Sequence, residues 1–194
     1  MKLKISCLFL ILSSFVFSQE NNGLIFVQKG KKQVVRDSLS VIQLDRSPFS
    51  IQFNGKKYDS EHFYATQIAV VSSQAAIFQA RIGQKTEAIP YFEPGTGMAP
   101  NQNNMYNTMI VSDLAHHYLF YENETEKRAY LVSQKEASLQ LEWKIQNCYY
   151  EGKDYTFEEL PAKSLYLILF SDQNLDETIN KGELTIVKMQ FKEK

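Results

Sequence analysis

Ala137-Ser138-Leu139-Gln140-Leu141-Glu142-Trp143-Lys144-Ile145 decides the fold class. Apolar and polar residues alternate along it without a break. A period of two belongs to a strand with one buried and one wet face. The same pattern recurs outward in both directions. Phe49, Ile51 and Phe53 alternate and run into Asn54-Gly55, with Tyr58 just beyond. Asn-Gly between such runs predicts a hairpin turn, because both residues tolerate positive φ. Residues 117–121 and 129–132 predict a second hairpin across the polar stretch 122–127. Gly152 predicts a third, between Cys148-Tyr149-Tyr150 and Tyr155-Thr156-Phe157.

Leu165-Tyr166-Leu167-Ile168-Leu169-Phe170 is apolar throughout, which predicts a central strand covered on both faces. Residues 184–191 form the last strand, and their apolar phase switches between Ile186 and Val187, as a bulge would produce. Residues 73–82 fit two descriptions. Ser73 could cap a short helix ended by Gly83, yet Ala76, Phe78, Ala80 and Ile82 alternate, and the extended look of 64–71 tips the reading to strand. Residues 93–107, with Pro94, Gly95, Gly97, Pro100 and four asparagines, form the longest irregular stretch. A loop of that length is often functional. Short, closely spaced strands predict an all-β chain. The expected form is an antiparallel β-sandwich, jelly-roll or immunoglobulin-like, with a barrel as second choice.

The N-terminus has the layout of a secretory signal peptide. Lys2 and Lys4 precede a short apolar run, and Val16 and Ser18 are small enough for a cut before Gln19. The expected organisation is a signal at 1–18 and one sandwich domain at 19–194, in a protein exported to a periplasmic or extracellular setting. The apolar run is too short for a comfortable span, and no other stretch is long enough. The remaining 176 of 194 residues carry 19 basic and 22 acidic side chains, a net charge of −3. That balance argues against nucleic acid or an anionic membrane as partner. Cys148 is the only mature thiol, so it reads as a small buried residue rather than half of an intrachain disulfide.

Residues 172–183 read as a twelve-residue frame with oxygen side chains at positions 1, 3, 5, 9 and 12. Asp172, Asn174, Asp176, Asn180 and Glu183 supply those oxygens, and Thr178 would give its carbonyl. A hard cation takes six to eight oxygens, and this spacing wraps them around one point. Ile179 occupies an apolar anchor position. The segment resembles an EF-hand calcium loop over these twelve residues. The resemblance implies calcium as a structural staple tying 165–170 to 184–191. It departs at position 6, where Glu177 replaces the usual Gly, and a left-handed Glu costs about 1 kcal/mol. Its flanks read as strands, so no helix pair would open as in a calcium sensor. The same residues also suit a plain polar turn, in which Asp and Asn hydrogen-bond their own backbone.

Other chemistry is thinner. His62, Asp113 and His116 could form a metal or acid–base cluster, which would make the protein a metal-dependent hydrolase. No zinc spacing, phosphate loop or serine elbow accompanies them. Trp143, Tyr149, Tyr150 and Tyr155 gather near the Gly152 turn and could stack on sugar rings. The leading expectation is a non-catalytic binding or structural accessory module whose partner is another exported protein. A glycan-binding module using these aromatics or the 93–107 loop comes next.

Overall fold

The computed structural model describes residues 23–56, 66–92, 98–101, 104–111, 118–122, 128–136 and 138–193. The strand at the centre of the sequence reading is also central in space. Ser138–Ile145 (β10) lies between Phe49–Lys56 (β4) and Arg128–Lys135 (β9), both antiparallel to it. Trp143 faces Ile51 across one pairing and Ala129 across the other. Ile25–Gln28 (β1) and Lys31–Val34 (β2) extend this sheet on one side; Asn104–Val111 (β7) and Met98–Asn101 (β6) extend it on the other.

A second sheet places Ser40–Leu44 (β3), Leu184–Phe191 (β14), Ser164–Ser171 (β13) and Thr66–Val71 (β5) in that order. Only the β3–β14 pairing of this sheet is parallel. A third, small sheet joins Lys153–Thr156 (β12), Asn147–Tyr150 (β11) and Leu119–Tyr121 (β8). The fold is an all-β sandwich. None of these sheets closes on itself, which sets aside the barrel.

Alternation explains the inner core. Phe53, Ile51, Leu139, Leu141, Trp143 and Ile145 face Leu165, Leu167, Leu169, Val187 and Met189 of the second sheet in one buried cluster. The other face of that second sheet is buried as well. Tyr166, Ile168, Phe170, Ala69, Val71 and Ile186 pack under a lid in a separate cluster. The lid comprises the one-turn helix Gln74–Ile77 (α1), the 3-10 turn Thr86–Ala88 and the aromatic pair Tyr91 and Phe92. β13 is therefore apolar at every inner position because both its faces are covered.

Several expectations are corrected. Asn54-Gly55 is not a turn: β4 runs through both residues, and neither has a positive φ. A Cβ on Gly55 would lie 2.9 Å from Leu141 Cδ1, so its smallness serves close packing against β10. The predicted hairpin of 117–121 with 129–132 does not form, because β8 pairs with β11 while β9 pairs with β10 and β7. The Glu151-Gly152 hairpin does form, with both residues left-handed. β14 carries no bulge at Ile186. Its pairing with β13 is unbroken, and the phase switch reflects burial on both faces. Residues 73–82 include a helix, not a strand, and Ser73 Oγ accepts the Ala75 N–H at 3.1 Å as the cap. Within 93–107, residues 98–101 and 104–107 are strand; 93–97 and 102–103 lie outside the described residues.

Candidate functional site: the 172–183 loop and the aromatic hairpin

The loop that joins β13 to β14 begins and ends on a buried carboxylate. Asp172 Oδ1 accepts the N–H of Leu175 at 2.7 Å and of Asp176 at 3.3 Å, and its Oδ2 accepts that of Glu177 at 2.8 Å. Glu183 Oε1 accepts the N–H of Gln173 and Oε2 that of Asn180, both at 2.7 Å. Asp172 and Glu183 are only 2% and 4% exposed. Charge-assisted bonds of this kind are strong, and here they fix the turns. Leu175, Glu177 and Gly182 are left-handed, at φ 63°, 60° and 93°. Leu175 and Glu177 are thus the two non-glycine residues of the loop in this conformation.

The outer residues form a second layer. Asp176 accepts the Thr178 N–H at 2.8 Å, Asn174 Nδ2 at 2.8 Å and Asn180 Nδ2 at 3.1 Å. Desolvation raises the Asp176 carboxyl, but the donors Thr178, Asn180 and Asn174 outweigh it and hold it below the ordinary carboxylate range. The structure thus divides the six predicted ligands. Asn174, Asp176, Thr178 and Asn180 converge on one another, while Asp172 and Glu183 turn to the backbone. Among the described residues, no group of three or more His, Cys, Asp or Glu side chains is placed to hold a metal ion.

Ile179 leaves this polar loop and enters the outer core, where it is fully buried. Its carbonyl accepts the Gly83 N–H at 2.8 Å, and its own N–H donates to Gln84 O at 2.9 Å. Thr86 N–H donates to Glu177 O at 2.9 Å. The loop is therefore a strap across the lid. The sequence marked Ile179 as an anchor and Gly83 as a stop. Nothing in it marked that the two meet, since 96 positions separate them.

The aromatic residues do not form one row. Trp143 is fully buried, its Nε1 has no hydrogen-bond partner among the described residues, and the indole offers no face to solvent. Tyr149 points away from the core and is 41% exposed. Tyr150 stacks on buried Tyr118, with centroids 4.1 Å apart and planes 5° off parallel. The Glu151 carboxylate accepts its hydroxyl at 2.8 Å and, with Tyr118, pushes the phenol above its usual range. Tyr155 lies under Lys153 Nζ, 4.8 Å from the ring centre. Cys148 is buried, and burial followed by the charge of Asp154 pushes its thiol up to about 12. A thiol so protonated is a poor nucleophile.

His62, Asp113 and His116 all lie outside the described residues. The chain matches no protein-family model, and no curated protein or solved structure is similar to it at a significant level.

Proposed function

We propose that this chain is a non-catalytic accessory module built on an exported β-sandwich, and that its 172–183 loop is a structural staple. One observation carries the staple reading. Buried Asp172 and Glu183 accept backbone N–H groups from Leu175, Asp176, Glu177, Gln173 and Asn180. These carboxylates are spent on holding the loop in the shape that delivers Ile179 to the lid. The aromatic groups point the same way, since Trp143 and the Tyr118–Tyr150 stack are used in packing. Export rests on the lysine-led apolar start of the sequence.

A calcium staple at the same loop is the second reading, favoured by the left-handed Glu177 at the sixth position and by the cluster around Asp176. Thermal melting separates the two. Residues 19–194 are melted with excess calcium and with EDTA, beside Asp172→Ala and Asp176→Ala. An ion-free staple gives one midpoint in both buffers. Asp172→Ala then leaves buried donors unpaired, costs about 2 kcal/mol and lowers the midpoint by about 4–8 °C. A calcium-dependent rise that disappears in Asp176→Ala makes the ion primary, because a ligand of the folded state stabilises it by mass action. An Asp172→Ala protein that melts like the wild type overturns both.

A further inference from the structure

Tyr118 and Tyr150 stand 32 positions apart in sequence and ring against ring in space. Strand pairing puts them there. Leu119 faces Tyr149 in the antiparallel β8–β11 register, and the next step of that register sets 118 opposite 150. The Tyr118 N–H donates to Val70 O at 3.1 Å, which ties its backbone to β5. The two rings are parallel to within 5°, with centroids 4.1 Å apart. Every other ring contact among the described residues spans 5.0 Å or more, and none of them joins two tyrosines. Two phenylalanines would pack as well, so the hydroxyls invite a reading of their own. The Tyr150 hydroxyl donates to Glu151 at 2.8 Å and adjoins the hydroxyl of Tyr118. We propose that this pair is an oxidative cross-linking site, at which a peroxide-driven one-electron oxidant joins the two rings as dityrosine with Glu151 as the proton acceptor.

Each phenol gives up one electron and one proton to become a phenoxyl radical. The electron leaves far more easily when a base takes the proton at once, and that base must lie within hydrogen-bond reach. The Glu151 carboxylate meets this condition at Tyr150. Glu151 is exposed and hands the proton on to water. The Tyr118 proton leaves through the same hydroxyl contact. The unpaired spin of a phenoxyl ring rests partly on the carbons beside the one that bears oxygen. Two radicals bond face to face at those carbons, and each bonded carbon then returns its hydrogen to its own ring oxygen. One C–C bond forms, and two electrons and two protons leave in all. Hydrogen peroxide, acting through a haem peroxidase, takes up both and becomes two molecules of water. In solution two tyrosyl radicals must first meet. Here the stack already holds the rings together, which makes the coupling intramolecular. Exposed Tyr149 is adjacent in β11 and points to the opposite face, so it serves as the internal comparison.

The test treats dilute protein, residues 19–194, with a plant haem peroxidase and hydrogen peroxide at neutral pH. The expected product is a monomer with dityrosine fluorescence and a mass lower by two hydrogens, in which the peptides carrying Tyr118 and Tyr150 are linked. Tyr118→Phe and Tyr150→Phe keep both rings, so the fold is not at stake, and each should abolish the linked monomer. Tyr149→Phe should leave it in place. Glu151→Gln keeps the shape and loses the base, and it should slow the cross-link severalfold. The proposal is overturned by dityrosine confined to dimers, by a monomer link that survives Tyr150→Phe, or by no link in a mixture that couples N-acetyltyrosine. An unchanged rate in Glu151→Gln overturns the assignment of the carboxylate. None of these results touches the melting behaviour of Asp172→Ala, so the staple reading stands or falls separately.

Discussion

The inner and outer cores share one sheet and are built by different means. The inner core is strand against strand. β10, β4 and β1 on one side and β13, β14 and β5 on the other bring residues already ordered by pairing. The outer core is strand against improvised cover. α1 has four residues, too few to persist alone, and the remaining cover is a 3-10 turn, two aromatic residues and Ile179 from a polar loop. The lid therefore depends on what it buries and on the strap bonds of Gly83, Gln84 and Thr86 to the loop. Burial by pairing is cooperative over a whole sheet. Burial under a tied lid opens locally, at a lower free energy.

The inner core should be the more sensitive of the two. Trp143→Ala removes the largest fully buried side chain of that core, and the expected loss is about 3–5 kcal/mol in chemical denaturation. Both cores should melt together, because β13 and β14 belong to both. Ile179→Ala comes next, at about 2–5 kcal/mol if the outer core reported on the whole molecule. Its signature should instead be local. Amide exchange at Gly83, Ile179 and Thr86 should accelerate while β10 and β4 stay protected. If β10 exchanges just as fast in Ile179→Ala, the two cores are one cooperative unit.

Gly55 separates turn propensity from packing. Asn54-Gly55 and Glu151-Gly152 look alike as turn signals, and only the second turns. In β11–β12 a left-handed pair is required, with φ 47° at Glu151 and 80° at Gly152. In β4 the glycine lets Leu141 approach from the neighbouring strand. Local sequence carries turn propensity, but it does not carry what a strand 86 positions away will press against. Gly55→Ala should cost about 1–3 kcal/mol of global stability through crowding of Leu141. A neutral Gly55→Ala would mean that Leu141 moves aside freely.

The same limit governs what else was legible. Alternation in β10 and the apolar run of β13 required only nearest-neighbour periodicity, and both are strands. The phase switch of β14 and the helix α1 are not legible locally, because each answers to the outer core, a surface assembled from 69–92, 166–170 and 179–186. The twelve-residue frame suited either an ion loop or a polar turn that bonds its own backbone, and Asp172 and Glu183 accept backbone N–H groups. What the pattern did not display is which of the oxygens turn to the backbone and which gather around Asp176.

The smallest effect expected lies at the rim of the inner core. Asp45 follows β3, and its carboxylate accepts Lys192 Nζ at 2.7 Å and Lys29 Nζ at 2.9 Å. The hydrogen bond from Lys192, then that from Lys29, holds the Asp45 carboxyl down to about 2, against 3.8 for the free group. A carboxyl lowered by folding stabilises the fold above its unfolded value, and that contribution is lost as pH falls from 3.8 toward 2. The loss should be slight, because both lysines are exposed and exposed pairs are screened by water and salt. The turn after β3 is also held by an uncharged group: Gln28 Oε1 accepts the Asp45 N–H at 2.8 Å, and Gln28 Nε2 donates to Ser47 O at 2.8 Å. Asp176 on the strap is lowered as well, by neutral donors rather than lysines. Carboxyl-carbon NMR from pH 2 to 5 should therefore find both groups titrating low, with added salt raising Asp45 and leaving Asp176 nearly still. Equal salt shifts would mean that charge, not the hydrogen-bonded loop, sets Asp176, and the strap would then lose its distinction from an ordinary acidic turn.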